Sequence, residues 1–310
     1  MVALRSQLQL APIRPREVPA LPAPVISRVP HGGGFAWSLE PYGAAGLGGV
    51  DDLARLQPGT VAGPRTQAAA VLLAHLRDAA ARQDGSLSER PVLLGNACDP
   101  WQPADREVRL TRQLLEALAG LRGLDLRART RSSLVGRDVD VLGRIARHGR
   151  VRVSVVLPGL ERRTWMALEP HAPSPERRLM AVGLLSRAGI EVGVELSPVL
   201  RGVNDSDDAL GRLLERAKLA GATFARMEPL ELSESVRERL LAMVAEVEPA
   251  RRPGLSRLLG RTHLHDPRSW AEARTRFAAA CARLGLDAGA APRPLASQLP
   301  GGAPRQLPLF

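Results

Sequence analysis

Apolar residues recur with two different periods along this chain. Runs of strand type occupy residues 35–39, 91–97, 124–130, 151–157, 191–199 and 223–230. Helical spacing occupies residues 65–82, 106–121, 136–148, 174–188, 206–220 and 232–246. Because the two types alternate strictly, the pattern predicts an α/β fold with a parallel sheet and right-handed crossovers. Six units favour an open, partial (β/α)6 barrel of the TIM type over a closed eightfold barrel.

The ends of the chain, rich in proline and glycine, set the predicted domain limits. Residues 1–34 are expected to be a lead-in segment with little regular structure, and residues 35–250 are expected to form the barrel. Residues 251–285 are expected to be a helical extension whose last helix carries Cys281 and packs on the outside. Residues 286–310 are expected to form a flexible, extended tail.

The composition is that of a soluble globular protein, with 45% hydrophobic and 24% charged residues. No apolar run approaches the length of a membrane span, and the N-terminal segment lacks the apolar core of a secretory signal. We therefore expect a cytoplasmic protein without a membrane partner.

The formal net charge of +11 favours a polyanionic partner such as DNA. All but one of the 43 basic residues are arginine, Lys218 being the exception. Arginine suits phosphate because its fork donates two parallel hydrogen bonds. The abundance of alanine, glycine and proline indicates that part of the arginine excess reflects codon composition, so the charge does not decide the function.

Few residues of the chain are suited to bind metal. Its two cysteines, Cys98 and Cys281, are far apart in sequence, so they form no disulfide framework and cannot complete a zinc site by themselves. His263 and His265 share a face only in an extended segment and have no third ligand nearby, so we interpret them as part of a solvated loop.

The loop after the first predicted strand carries a family motif. Residues 39–55, LEPYGAAGLGGVDDLAR, resemble without a gap the segment LNPYRGCxHxCxYCYAR of radical S-adenosylmethionine (SAM) proteins related to spore photoproduct lyase, often labelled DNA-repair photolyases. Pro41, Tyr42, Ala54 and Arg55 coincide at the two flanks.

Other segments resemble motifs of the same family, in the same order, over residues 35–285. They are LGNACDPWQP at 94–103, LTR at 110–112, TRSSLVGRD at 130–138, LEPHAPSP at 168–175, AGI and VGV within 188–194, and GVND at 202–205. The resemblance implies a barrel of the radical SAM type.

The resemblance also shows where this chain departs from the family. The family holds a four-iron, four-sulfur (4Fe–4S) cluster on three cysteine thiolates, and the open iron binds SAM. Ala45, Gly49 and Asp52 occupy those three positions, and Cys98 would add at most one thiolate. No other alignment frame restores the thiolates. We therefore predict a pseudoenzyme without the cluster, unless a partner chain supplies ligands.

The resemblance further implies residues for the pocket. A basic residue and a serine bind the SAM carboxylate in the family, and they correspond to Arg131 and Ser154, which either keep that role or are polar residues at strand ends. Asp99 and Glu169 either bind substrate or cap the following helices. Cys98 and Asp99 are the candidate catalytic residues. Cys98 is either a small semi-buried residue or the counterpart of a hydrogen-atom donor on this loop in spore photoproduct lyases.

The chain ends in PRQLPLF, which resembles the QLxLF peptide that docks bacterial repair and replication proteins on the sliding clamp. In this interpretation Gln306 hydrogen-bonds at the rim of the clamp pocket, while Leu307, Leu309 and Phe310 are apolar anchors. The alternative is an apolar tail that folds back onto the barrel.

Three functions are compatible with these residues. The first is a radical SAM barrel without its cluster, retained as a DNA- or clamp-associated binding protein. The second is an enzyme that uses the SAM pocket for other chemistry. The third is an active radical SAM lyase or repair enzyme whose cluster ligands come from elsewhere.

Overall fold

In the part of the chain that the computed structural model describes, seven strands form one sheet. The structure describes residues 25–31, 34–42, 64, 67–82, 87, 90–96, 98–230, 234–247, 249–250, 252–260 and 267–289. The strands are β1 (Ile26–His31), β2 (Gly34–Leu39), β3 (Val92–Leu94), β4 (Asp125–Thr130), β5 (Arg150–Leu157), β6 (Glu191–Val199) and β7 (Phe224–Pro229). Their order in the sheet follows the chain, and β2 to β7 are parallel. Because β1 and β7 are the two edges, the barrel is open, as the pattern predicted.

Helices cover one face of this sheet. They are α1 (Ala68–Arg82), α2 (Asp105–Val108), α3 (Leu110–Leu118), a 3₁₀ helix (Ser133–Asp138), α4 (Val139–Ala146), α5 (Arg162–Leu168), α6 (Pro175–Arg187), α7 (Asp207–Leu219), α8 (Glu234–Val247), α9 (Arg252–Gly260) and α10 (Pro267–Arg283). No helix in the described ranges is long and apolar enough to cross a membrane.

Alternation along β5 shows how the sheet divides its two faces. Val151, Val153 and Val155 are buried in the main core beneath the helices. Arg152 and Ser154 lie between them and are half-buried, because successive side chains of a strand point to opposite faces. We call the face that points away from the helices the inner face.

Local sequence signals explain where α6 begins. Ser174 caps this helix, its Oγ accepting a hydrogen bond from the backbone N of Arg177 at 3.4 Å. Pro175 is the first helical residue, where its missing N–H costs nothing. Gly189 follows the helix with a φ of 75°, a left-handed conformation that favours glycine.

A second, smaller core lies beside the main one. It is built by α5, α8 and α9 with the segments that follow β6 and β7, and its fully buried members include Leu168, Leu200 and Leu255. The predicted extension is therefore divided between the cores, because α9 packs on α8 while α10 packs against α7 and β7. Cys281 on α10 is completely buried in the main core.

Strand β1 corrects the expectation that residues 1–34 have little regular structure. Residues 26–31 pair antiparallel with β2, His31 lying opposite Gly34. Pro30 misled the pattern reading, because proline is tolerated in an edge strand although it disrupts a central one. Helix α5 was also missed, whereas α9 lies within the predicted helical extension.

Candidate functional site

The carboxylate of Asp99 ties the loop after β3 to the end of β4. Its Oδ1 accepts hydrogen bonds from the backbone N of Trp101 at 2.9 Å and from Oγ1 of Thr130 at 2.7 Å. Its Oδ2 accepts from the backbone N of Arg131 at 2.6 Å. Burial raises the pKa of Asp99, and these hydrogen bonds oppose that shift. The described contacts therefore give Asp99 a structural role at two strand ends, and its catalytic role stays a prediction.

Cys98 lies beside a carboxylate at the ends of β2 and β3. Its Sγ is 3.2 Å from the backbone O of Tyr42 and 3.7 Å from Oε2 of Glu40. The other carboxylate oxygen of Glu40 accepts a hydrogen bond from Oγ of Ser38 at 2.7 Å. All four residues are buried, and both interpretations of Cys98 stay predictions.

Tyr42 anchors the start of the segment that carries the cluster-type motif. Its OH donates to Oδ1 of the fully buried Asp105 at 2.6 Å, and Nη2 of Arg137 lies 2.5 Å from Oδ2 of that carboxylate. Burial and the negative charge of Asp105 raise the pKa of Tyr42. Tyr42 also forms an isolated antiparallel bridge with Pro64, so these two residues lie side by side.

Glu169 pairs with two buried arginines near the carboxyl ends of the strands. Its Oε2 lies 3.1 Å from Nε of Arg131, and its Oε1 lies 2.6 Å from Nη1 of Arg178. All three residues are almost completely buried. Burial lowers the pKa of Arg178, and the charge of Glu169 opposes that shift. Neither of the two roles expected for Glu169 included these ion pairs, and Arg131 would have to share its guanidinium with any SAM carboxylate.

Ser154 lies nearer to the amino ends of the strands than Arg131 does. It is in the middle of β5, opposite Arg129 of β4 and Gly193 of β6. Arg131 is two residues beyond Arg129, just after β4 ends. The two predicted SAM residues therefore belong to neighbouring strands, but Arg131 follows the carboxyl end of β4 whereas Ser154 lies in the middle of β5.

A layer of charged residues on the inner face was missed by the sequence reasoning. Arg129 of β4 donates from Nε to Oε1 of Glu195 at 2.7 Å and from Nη2 to Oγ of Ser197 at 3.2 Å, both on β6. The signal was present, because β4 reads DLRART and β5 reads RVRVSVVL. A parallel strand that is apolar on both faces reads as a continuous hydrophobic run, so charged alternate positions indicate a polar interior.

The two thiols of the chain are remote from each other. Cys98 packs with Tyr42 and Leu110, whereas Cys281 packs in the main core on α10, which contacts β7. β3 and β7 are four places apart in the sheet, which is roughly 19 Å at the usual spacing of strands. Among the described residues, no group of three His, Cys, Asp or Glu side chains is arranged to hold a metal ion. Two thiols that lie this far apart do not fit a 4Fe–4S cluster.

Several predicted residues lie outside the described part of the chain, so their predictions stay as they were made. They are Ala45, Gly49, Asp52, His263, His265, Gln306, Leu307, Leu309 and Phe310.

No protein-family model matches the chain. Uncharacterized proteins of Mycobacterium tuberculosis and Mycobacterium bovis are each 30% identical to it over 185 residues, or 60% of this chain and 52% of the relative. An uncharacterized protein of Methanocaldococcus jannaschii is 25% identical over 120 residues, or 39% of this chain and 44% of the relative. The match thus spans only about half the length of these curated relatives.

Solved structures of spore photoproduct lyase resemble the fold. A cysteine-to-serine mutant superposes with a TM-score of 0.56 and 14% identity, covering 83% of this chain and 77% of that one. The enzyme complexed with dinucleoside spore photoproduct gives a TM-score of 0.54, with the same identity and coverage. A double mutant with bound AdoMet and dinucleoside spore photoproduct gives 0.50 at 14% identity, covering 71% of this chain and 65% of that one. The resemblance inferred from the motifs is thereby confirmed in three dimensions, and this chain has the radical SAM fold in its spore-photoproduct-lyase-like form.

Proposed function

We propose that this chain is a radical-SAM-fold protein that does not assemble a 4Fe–4S cluster from its own residues. It serves instead as a DNA- or sliding-clamp-associated binding protein. The observation that carries the proposal is the supply of thiolates: Cys98 and Cys281 are the only cysteines in the sequence, and they are buried in separate clusters. The family's cluster is held by three thiolates that lie close together. Sulfur is required because soft ligands match iron–sulfur clusters.

Two features support DNA as the partner. The chain has a net charge of +11, and arginines line the inner face of its barrel. One structure of similar fold is complexed with dinucleoside spore photoproduct. The tail peptide that ends at Phe310 supports the clamp as a further partner, independently of the barrel.

A second candidate function is use of the SAM pocket for other chemistry. It is favoured by the neighbour of similar fold that holds AdoMet. In this chain Arg131 and Ser154 would hold the carboxylate of SAM. Loss of the iron that chelates SAM removes most of the affinity, because it removes the bonds to amine and carboxylate together.

Anaerobic reconstitution with iron and sulfide tests the main proposal. We expect the protein to purify colourless and to gain no charge-transfer absorption in the visible range. About four irons per chain, with turnover of SAM to 5′-deoxyadenosine, would show instead that the chain is an active radical SAM enzyme.

A matched variant sharpens this experiment. Ala45→Cys, Gly49→Cys and Asp52→Cys together restore the three thiolates of the family motif. Iron uptake by this triple variant alone would assign the loss of the cluster to these three positions. Iron uptake by the wild-type chain would contradict the proposal whatever the variant does.

DNA binding is tested by titrating single- and double-stranded oligonucleotides at several salt concentrations. Binding through phosphates weakens as salt rises, because condensed counterions are released on binding. Absence of binding at low salt would remove DNA as the partner and leave the clamp.

A further inference from the structure

Two arginines lie side by side on the inner face of the sheet. Arg127 on β4 is directly opposite Arg152 on β5, and alternation places both side chains on the face away from the main core. Side chains opposite each other on neighbouring strands begin about 5 Å apart, and like charges in that arrangement destabilise a sheet. The pair is therefore a feature that folding alone does not favour.

Carboxylates at the two sides hold these arginines in place. Nη2 of Arg127 lies 2.6 Å from Oδ2 of Asp125, and Nη2 of Arg152 lies 2.5 Å from Oε1 of Glu191. Oδ2 of Asp287 is a further acidic neighbour, 3.6 Å from Nη2 of Arg152. Even so, 31% of the Arg127 side chain and 20% of the Arg152 side chain are accessible. The carboxylates therefore orient the two guanidinium groups, while part of each side chain stays accessible.

An aromatic ring lies against Arg152 and a third arginine, Arg226. A Cβ added to Gly193 would lie 2.4 Å from the ring of Phe224, so only glycine lets the ring lie here. Cζ of Arg152 is 4.4 Å and Cζ of Arg226 is 5.2 Å from the centre of this ring. Burial lowers the pKa of the Arg226 guanidinium, and the positive charges of Arg152 and Arg127 lower it further, although acidic neighbours oppose them.

We infer that this part of the inner face binds the phosphoryl group of a nucleotide or oligonucleotide between Arg127 and Arg152, with Arg226 behind them. A phosphate has enough acceptor oxygens to bridge two guanidinium forks, and its negative charge relieves the repulsion between them. The site lies toward the amino ends of the strands, whereas Arg131 follows the carboxyl end of β4. It contains neither of the two predicted SAM residues, although Ser154 is two residues beyond Arg152 on the same face of β5. Only its oligonucleotide form rests on the proposed DNA binding.

The experiment uses the full chain and three probes: inorganic pyrophosphate, ATP and a short single-stranded oligodeoxythymidylate. Binding is measured by calorimetry, and stabilisation by the shift in melting temperature. We expect Arg127→Met and Arg152→Met each to weaken binding about tenfold, as expected for loss of one charged hydrogen-bonding partner, and the double variant to lose it. Arg212→Met is the matched control, because Arg212 pairs with Asp208 on the exposed face of α7.

Melting without any anion separates binding from folding. Arg152→Met should melt at or above the wild-type temperature, because it removes the like-charged neighbour while Glu191 keeps Arg150 at 3.0 Å. A lower melting temperature with unchanged anion affinity would make Arg152 a structural residue and overturn the inference. If the Met variants fail to fold, Arg152→Lys keeps the charge without the fork and should still weaken pyrophosphate binding.

The probes distinguish the sources of the phosphoryl group. Stabilisation by pyrophosphate and ATP supports a nucleotide ligand, and stabilisation by the oligonucleotide alone supports a polynucleotide. No binding of any probe by the wild-type chain, or equal binding by the double variant, would overturn the inference. Equal oligonucleotide binding by wild type and double variant would exclude the polynucleotide form of the site while leaving the proposed DNA binding intact.

Discussion

Nε of Arg131 lies 3.1 Å from Oε2 of Glu169, and both side chains are almost completely buried. The other oxygen of the same carboxylate lies 2.6 Å from Nη1 of Arg178. One carboxylate therefore pairs with two buried guanidinium groups and compensates one of their two positive charges. Removing one member of a buried ion pair is costly, because it leaves an uncompensated charge in a region of low dielectric constant.

Replacement of Glu169 should therefore weaken the fold. We expect Glu169→Gln to lower the free energy of unfolding by about 3–5 kcal/mol, measured by urea denaturation. Glu215→Gln on the exposed face of α7 is the control and should change it by less than about 0.5 kcal/mol. Similar small effects of the two substitutions would mean that Arg131 and Arg178 are neutralised in another way.

SAM binding should be weak and should depend on the two predicted pocket residues. Calorimetry is expected to show at best weak binding, because no chelating iron contributes. Arg131→Ala should weaken it further, and so should Ser154→Ala, which removes only a half-buried hydroxyl. The melting temperature of each variant controls for unfolding, since Arg131 also pairs with Glu169. Folded variants that bind SAM as the wild type does would remove these residues from the site.

An exposed ion pair should contribute to stability against acid. Nη1 and Nη2 of Arg112 donate to the two carboxylate oxygens of Asp140 at 2.9 and 2.7 Å. This pairing lowers the pKa of Asp140 from 3.8 to about 2. Because the folded state holds the proton less tightly than the unfolded state, the contribution is present above pH 3.8 and disappears as the pH falls toward 2. Asp140 is 59% exposed, so solvent screening limits the contribution to about 1 kcal/mol or less.

Asp140→Asn tests that sign. The variant should unfold more easily than the wild type at pH 6, and the difference should disappear near pH 2 or in high salt. Glu215→Gln changes the net charge equally without removing the pair, so it should show no such closing gap. A difference that persists at pH 2 would mean that Asp140 stabilises the fold through packing and not through its charge.

The tail should bind the sliding clamp without the barrel. A synthetic peptide ending in Gln306, Leu307, Pro308, Leu309 and Phe310 should bind with roughly micromolar affinity, because a short flexible peptide buries little area and loses entropy on ordering. Deleting Leu309 and Phe310 from the full chain should abolish clamp binding and leave the melting temperature unchanged. A destabilised barrel, with no clamp binding by the intact protein, would show instead that the tail is a structural strap.

Pro308 tests the docking mode of that peptide. Proline fixes φ and removes a backbone donor, which an extended peptide tolerates only where the N–H would face solvent. Pro308→Ser should therefore leave clamp binding intact or improve it, as measured with the same peptide. A large loss would contradict docking as an extended peptide.

The sequence by itself determined the elements whose signals are local. The predicted strand at 191–199 has the bounds of β6, and the predicted helix at 174–188 differs from α6 by one residue at each end. Valine-rich alternation, a serine cap and a glycine stop act within a few residues, so pattern reading detects them. The parallel arrangement of β2 to β7 followed from strict alternation, and the family motifs marked the ends of β3 and β4, where Asp99 and Arg131 lie.

Only the tertiary structure decided what those residues contact. β1 is stabilised by pairing with β2. Its own proline-containing sequence does not by itself predict a strand. Glu169 meets Arg131 across 38 positions of the chain, which no local pattern encodes. The side-by-side placement of Arg127 and Arg152 depends on the register of β4 against β5. A shift of one residue would turn either side chain to the opposite face, so strand pairing, and not composition, determines the charge of the inner face.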